Sequence, residues 1–202
     1  MSETSTGATR RSPFAGHAVA GHPNAAGQTG VRLQAETLPG AAQISTWISG
    51  VQRLEQALTA LLGRQPPTQT GQTQATRHGL LVRTGPEEFL LVADQAVDNT
   101  ALLRRHVTAD IGAVTDLGHA RCRIRISGDR CRDTLSKLFP IDLRDAAFPV
   151  GQARASGHHH VPALLHRIER DRFDLYVFTT YAQDQLHVLV DAALEYGVSV
   201  DA

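Results

Sequence analysis

In the stretch Arg121 to Ile126, Cys122, Ile124 and Ile126 alternate with Arg121, Arg123 and Arg125. Successive side chains of a strand point to opposite faces, so the pattern predicts a half-buried strand with three guanidinium groups on its polar face. Any fold that contains it must place a core beneath one face. Three guanidinium groups in a row also repel one another unless carboxylates or anions meet them. The acids could be local Asp and Glu, or an acidic patch on a larger partner; on the second reading Arg121, Arg123 and Arg125 form a candidate subunit interface.

The neighbouring segments supply the rest of such a fold. After Ser127-Gly128, the residues Cys131, Leu135 and Leu138 recur at helical spacing, and the helix must end before Pro140, which disfavours helix in the residue preceding it. Phe173, Leu175 and Val177 mark another alternating strand, and Leu186, Leu189, Val190 and Ala193 line a helix that should stop near Gly197. Upstream, VRLQAETL and AQISTWI read as strands. A helix follows from Val51, with Val51, Leu54, Leu58, Leu61 and Leu62 as its apolar stripe, Ser49 as a cap and Gly63 as its stop. Leu80 to Ala93 places two apolar runs around Thr84-Gly85-Pro86-Glu87, a hairpin pattern, and a helix from about Val97 to His106 would cover it. Trp47, the only tryptophan, reads as a core anchor rather than an interface contact.

Gln65 to Thr76 opens with Pro66-Pro67 and lacks bulky apolar residues, which predicts an exposed loop near 65–76. Residues 1–30 show no hydrophobic period and read as a flexible N-terminal arm, leaving 31–202 as one domain. Hairpins alternating with single helices imply an α+β fold, with antiparallel or mixed sheets and helices packed on one face. No clean internal repeat appears, although the strand, strand, helix order recurs.

Lys+Arg and Asp+Glu both number 20, so the formal net charge is +0 and no overall positive field draws nucleic acid or an anionic membrane. No apolar run approaches the roughly 18 residues that cross a bilayer, and the N-terminus lacks an apolar core followed by a cleavage site, so a cytoplasmic location is expected. Cys122 and Cys131 are spaced too widely for a zinc knuckle or a C-x-x-C redox pair and read as buried thiols.

Chemistry-bearing motifs are sparse. His158, His159 and His160 stand in a row close to His166, but an extended chain at about 3.3 Å per residue separates His160 from His166 by about 20 Å, too far to share one ion. A polar loop leading into a strand is the expected role. There is no G-x-S-x-G elbow, no cysteine beside a plausible base, no G-x-G-x-x-G after a strand and no Walker sequence. The expected catalytic, cofactor-binding and metal-ligand sets are therefore empty.

The segments LVRTGPEEFLLVA, VTDLGHARCRIRISGDRCRDTLSKLFPIDLRDAAFPVGQARA and VPALLHRIERDRFDLYVFTTYAQDQLHVLVDAALEYG together resemble the gamma subunit of heterotetrameric sarcosine oxidase. The likeness runs from roughly Val31 to the C-terminus and is strongest after Ile111. That family is distantly similar to the aminomethyltransferase, or folate-binding, fold of the glycine cleavage system, with matching turns at Asp116-Leu117, Ser127-Gly128, Gly151 and Asp171 to Val177. Where that enzyme carries an acidic pair, this chain has Val161 and Pro162. Valine cannot accept a proton and proline lacks even a backbone donor, so that acid-base role is missing.

The resemblance implies a non-catalytic gamma subunit of a complex that oxidises sarcosine to glycine with tetrahydrofolate and O2. FAD, FMN, NAD and tetrahydrofolate would sit in other subunits and none in this chain. The implied partners are the alpha, beta and delta subunits, chiefly alpha, whose folate-binding part this chain would brace. Two other readings stand beside it: a stand-alone folate- or small-ligand-binding module, and the equivalent subunit of another secondary N-methyl amine oxidase or dehydrogenase.

Overall fold

The computed structural model describes residues 11–15, 21–96, 98–158 and 161–201. In chain order the elements are β1 (Val31–Thr37), β2 (Gly40–Thr46), α1 (Val51–Leu62), β3 (Thr73–Thr76), β4 (Gly79–Gly85), β5 (Glu88–Ala93) and α2 (Asn99–His106). They continue with β6 (Gly112–Asp116), β7 (Arg121–Ser127), α3 (Cys131–Ser136), β8 (Ala153–His158), β9 (Val161–Glu169), β10 (Arg172–Phe178), α4 (Ala182–Ala193) and β11 (Val198–Asp201). One sheet has the order β11-β1-β7-β10-β9-β8 and the other the order β3-β4-β5-β2-β6. Among the described residues only the β1–β11 pair is parallel, so the architecture is the α+β arrangement of mixed and antiparallel sheets that the sequence implies.

The arginine strand β7 lies inside the six-stranded sheet, between β1 and β10. Its apolar residues Cys122, Ile124 and Ile126 pack with Leu33, Phe173 and Leu175 beneath Leu135 of α3 and Leu186 and Leu189 of α4. A second core joins Ile44, Phe89 and Leu91 of the five-stranded sheet to Leu54 and Leu58 of α1 and Leu103 of α2. The remaining faces meet each other: Val82, Leu90 and Val92 of one sheet pack against Leu164 and Tyr176 of the other. Each sheet thus carries its helices on one face and offers the opposite face to its partner sheet.

Local chemistry explains the element ends. Gly63 closes α1 in the left-handed region at φ 73°, with its N–H donating to the Thr59 carbonyl, as a C-terminal glycine can at little steric cost. Gly128, between β7 and α3, has φ +114°, and a Cβ there would stand 2.2 Å from the Gly30 carbonyl oxygen. Only glycine lets the two backbone segments approach so closely.

Several expectations need correction. The cap of α1 is Gly50, not Ser49, and no side chain caps this end. α2 starts at Asn99, capped by Asp98, whose carboxylate accepts the Ala101 N–H; Val97 lies outside the described residues. The connector at 65–76 is neither wholly loop nor wholly exposed: Thr73–Thr76 pairs with β4, and Pro66 and Pro67 are buried. The physical reason lies across the sheet, where the buried Arg83 guanidinium donates to the Pro67 carbonyl at 3.0 Å while holding Glu55 at 2.6 Å. Trp47 is not a core anchor but is 57% exposed.

The arm expected at 1–30 falls partly on residues 1–10 and 16–20, which lie outside the described residues. Some of its described residues are tied down. Phe14 is buried in the core under α4, Gln183 donates to the Pro13 carbonyl, and His22 bridges to Val198 of β11. Among the described residues, no helix is long and apolar enough to cross a membrane.

Candidate functional site

The polar face of β7 meets acids of both neighbouring strands. Strand register decides who meets whom: Glu36 of β1 stands opposite Arg123, while Asp174, Tyr176 and Phe178 of β10 stand opposite Arg125, Arg123 and Arg121. Directly opposed side chains on neighbouring strands are within reach of one another. Arg125 uses this to form two hydrogen bonds, Nε to Asp174 Oδ1 at 2.7 Å and Nη2 to Oδ2 at 3.0 Å. Arg123 bonds Glu36 and also lies 3.5 Å from Asp174. Arg121 takes a different partner, its guanidinium carbon resting 3.8 Å from the Phe178 ring centre.

The titration behaviour follows from these contacts. Burial works against the charge on Arg123, but the Glu36 hydrogen bond and Asp174 outweigh it and raise its pKa. For Arg125 the hydrogen bond to Asp174 dominates and raises the pKa despite partial burial. Arg121 is shifted the other way: burial lowers its pKa, opposed only in part by the more distant Glu88. No ion pair reaches Arg121 among the described residues, whereas Arg123 and Arg125 are both held by acids of this chain. Of the two readings of the arginine row, local pairing is what the geometry provides for these two.

Beside this network lie Tyr176 and His166. Tyr176 is buried and its pKa is raised, chiefly by loss of water and then by Asp174. His166 pairs with Asp174 across β9 and β10, is 7% exposed, and leaves Nδ1 without a hydrogen-bond partner. Burial lowers its pKa. His158 ends β8 opposite Val161, and His159 and His160 lie outside the described residues. Among the described residues, no three His, Cys, Asp or Glu side chains gather as a metal set. Burial pushes both thiols up to about 12, so Cys122 and Cys131 carry almost no thiolate near neutral pH. Val161 and Pro162 open β9, paired with His158 and Gly157.

Sequence reading did not single out Glu36, Asp174 or Tyr176, and it weighed His166 only as a metal ligand of the histidine row. A signal for two of them was present: in the alternating strand of Phe173, Leu175 and Val177, Asp174 and Tyr176 must face the other way. Cavities open at other places, among them one of about 520 Å3 lined by Asn24, Gln28, Asp129, Arg130, Glu195 and Tyr196.

No family model matches the chain. Curated relatives do: sarcosine oxidase subunit gamma of an Arthrobacter species is 30% identical over 142 residues, spanning 70% of this chain and 70% of its own. The subunit of the same name from Corynebacterium sp. strain P-1 is 29% identical over the same length and shares. Among solved structures, a chain of the heterotetrameric sarcosine oxidase from Corynebacterium sp. U-96, in complex with pyrrole 2-carboxylate, superposes with a TM-score of 0.79 at 25% identity. That match covers 96% of this chain and 99% of the other. Glycine cleavage system aminomethyltransferase T from Bartonella henselae superposes with a TM-score of 0.60 at 16% identity, covering 86% of this chain and 48% of that one, a likeness of fold.

Proposed function

The chain belongs to the sarcosine oxidase gamma subunit family, and from that premise we propose that it serves its heterotetramer as a non-catalytic brace for the folate-binding part of the alpha subunit. The complex would oxidise sarcosine to glycine with O2 and pass the one-carbon unit to tetrahydrofolate. Beta and delta subunits complete the assembly. The same role in an oxidase or dehydrogenase for another secondary N-methyl amine would make equal use of this chain, because the amine pocket would lie in other subunits.

The observation that carries the non-catalytic reading is the mutual engagement of charges around Asp174. A general acid or base must be able to reach the substrate. Glu36 and Asp174 are instead gripped by Arg123 and Arg125, and Asp174 is 4% exposed. Glu88, the next acid on the inter-sheet face, is engaged by Gln43 and Thr84. Val161 and Pro162 offer no replacement.

The same network speaks against folate on this face. A folate ring is recognised by free carboxylates or amides, and the acids here already serve the chain's own side chains. The reading therefore assigns FAD, FMN, NAD and tetrahydrofolate to other subunits. What this chain contributes is a rigid surface, in which two sheets are locked face to face by Leu164, Tyr176, Leu90 and Val92.

The test is affinity purification on this chain, co-expressed with its three partner subunits, followed by a visible spectrum. Flavin absorbance with larger subunits at fixed stoichiometry is the expected result. A colourless lone chain would overturn the proposal. Tight tetrahydrofolate binding by a stable monomer would favour the stand-alone module that the aminomethyltransferase fold suggests.

A further inference from the structure

We propose that Trp47 and Ile48 form the anchor by which this chain seats in an uncharged apolar pocket of a larger subunit, an inference that rests on the assembly proposed above. The two residues lie on the turn between β2 and α1, with Trp47 57% and Ile48 91% exposed. Scattered surface apolar residues are ordinary, but these two are adjacent, and one is a tryptophan.

The turn that presents them is held from several sides. Gly50 donates to the Trp47 carbonyl at 2.7 Å, and the Thr46 hydroxyl donates to the Ile111 carbonyl at 2.6 Å. The Trp47 indole N–H donates to the Ala109 carbonyl at 3.0 Å, which fixes the ring against the α2–β6 connection. Arg53 and Asp110 tie α1 to that same connection. A Cβ on Gly50 would stand 2.1 Å from the Thr46 hydroxyl, so the close turn needs glycine there. A side chain held in place before binding loses little freedom on docking, which is what an anchor requires.

The surroundings point to an uncharged receptor. Ser49, Gln52 and Gln56 are exposed and neutral, and Arg53 and Asp110, which flank the turn, neutralise each other. A polar, uncharged border around a central apolar contact is the arrangement that excludes water from an interface.

Other occupants fit less well. Residues 1–10 contain Met1 as their one bulky apolar side chain, so this segment has little with which to cover the patch. Cavities on this chain's own surface are lined by charged and amide side chains, Asp98, Asn99 and Asp116 in one and Asp129, Arg130 and Glu195 in another, so they suit the pair poorly as a receptor on a second copy. A heterotetrameric relative that matches this chain over 96% of its length supplies unequal partners of the needed kind.

The experiment co-expresses the tagged chain with its three partner subunits and measures recovery of the larger subunits. Ile48→Glu should lower recovery at least tenfold, Ile48→Ser should lower it less, and Ile48→Leu should leave it near wild type. Circular dichroism and the urea midpoint of Ile48→Glu should match wild type, because the side chain leaves no cavity. Wild-type recovery with Ile48→Glu would overturn the anchor while leaving the assembly intact. If the unaltered chain recovers no larger subunit, the assembly reading falls and the anchor with it.

Discussion

Arg125 and Asp174 face each other across β7 and β10, and the guanidinium grips both carboxylate oxygens, at 2.7 Å and 3.0 Å. Asp174 is 4% exposed and also lies 3.5 Å from Arg123, so one carboxylate answers two guanidinium groups. Removing it leaves Arg125 without its acid and Arg123 with Glu36 alone, two partly buried cations side by side on β7. Asp174→Ala should therefore cost roughly 2–3 kcal/mol, below the full cost of breaking a buried pair because Arg123 and Arg125 retain some water. Glu36→Ala removes a 29% exposed partner and should cost about 1 kcal/mol or less. Urea denaturation would check the order, and equal midpoints for the two variants would count against this account.

His166 should make the fold sensitive to mild acid. Burial lowers its pKa below the ordinary value, Asp174 opposing and Arg125 assisting. At about pH 8 and above the imidazole is neutral in both folded and unfolded chains, and its contribution is fully present. As pH falls through about 6.5 the unfolded chain takes up a proton that the folded chain resists, so stability declines until the folded pKa is reached. His78, also lowered chiefly by burial, acts in the same direction. The urea midpoint should fall between pH 7 and pH 5.5, and His166→Gln should flatten part of that fall. An unchanged slope in the variant would assign the effect elsewhere.

The chain has two thiols, and both should be silent in the native state. Cys122 is 1% and Cys131 0% exposed, and burial pushes each up to about 12. At pH 8 a thiol with that pKa is about one part in ten thousand thiolate, the reactive form. Ellman's reagent should release nearly nothing from the native chain and two equivalents after denaturation. Rapid release of one equivalent without denaturant would show that one of these sites opens readily.

How far the sequence could be read depended on how local each cause was. The alternation from Arg121 to Ile126 and the stripe of Leu54, Leu58 and Leu61 each lie within one element, so the faces of β7 and α1 were legible. The partners of the arginine row were not, because Glu36 lies 87 residues from Arg123 and Asp174 lies 49 from Arg125. Only strand order brings them together. The burial of Pro66 and Pro67 is hidden for the same reason, since the Arg83 guanidinium that donates to the Pro67 carbonyl belongs to β4. Trp47 failed differently. An aromatic ring says that it prefers to leave water, not whether its own chain or another will provide the shelter.

Trp47 gives the last prediction a clean signal, since it is the chain's only tryptophan. With the ring 57% exposed, the free chain should emit at the long wavelengths of a hydrated indole, and iodide should quench it readily. The indole N–H bond to the Ala109 carbonyl should nevertheless hold the ring still, giving fluorescence anisotropy near that of the whole molecule. A core tryptophan would be blue-shifted and shielded, and a loose surface one would be quenched but depolarised. Quenching together with high anisotropy is the combination that an exposed, fixed ring predicts. A blue-shifted, unquenched emission from the monomer would mean that the ring is covered by its own chain, and the turn would then have no apolar side chain but Ile48 to offer a partner.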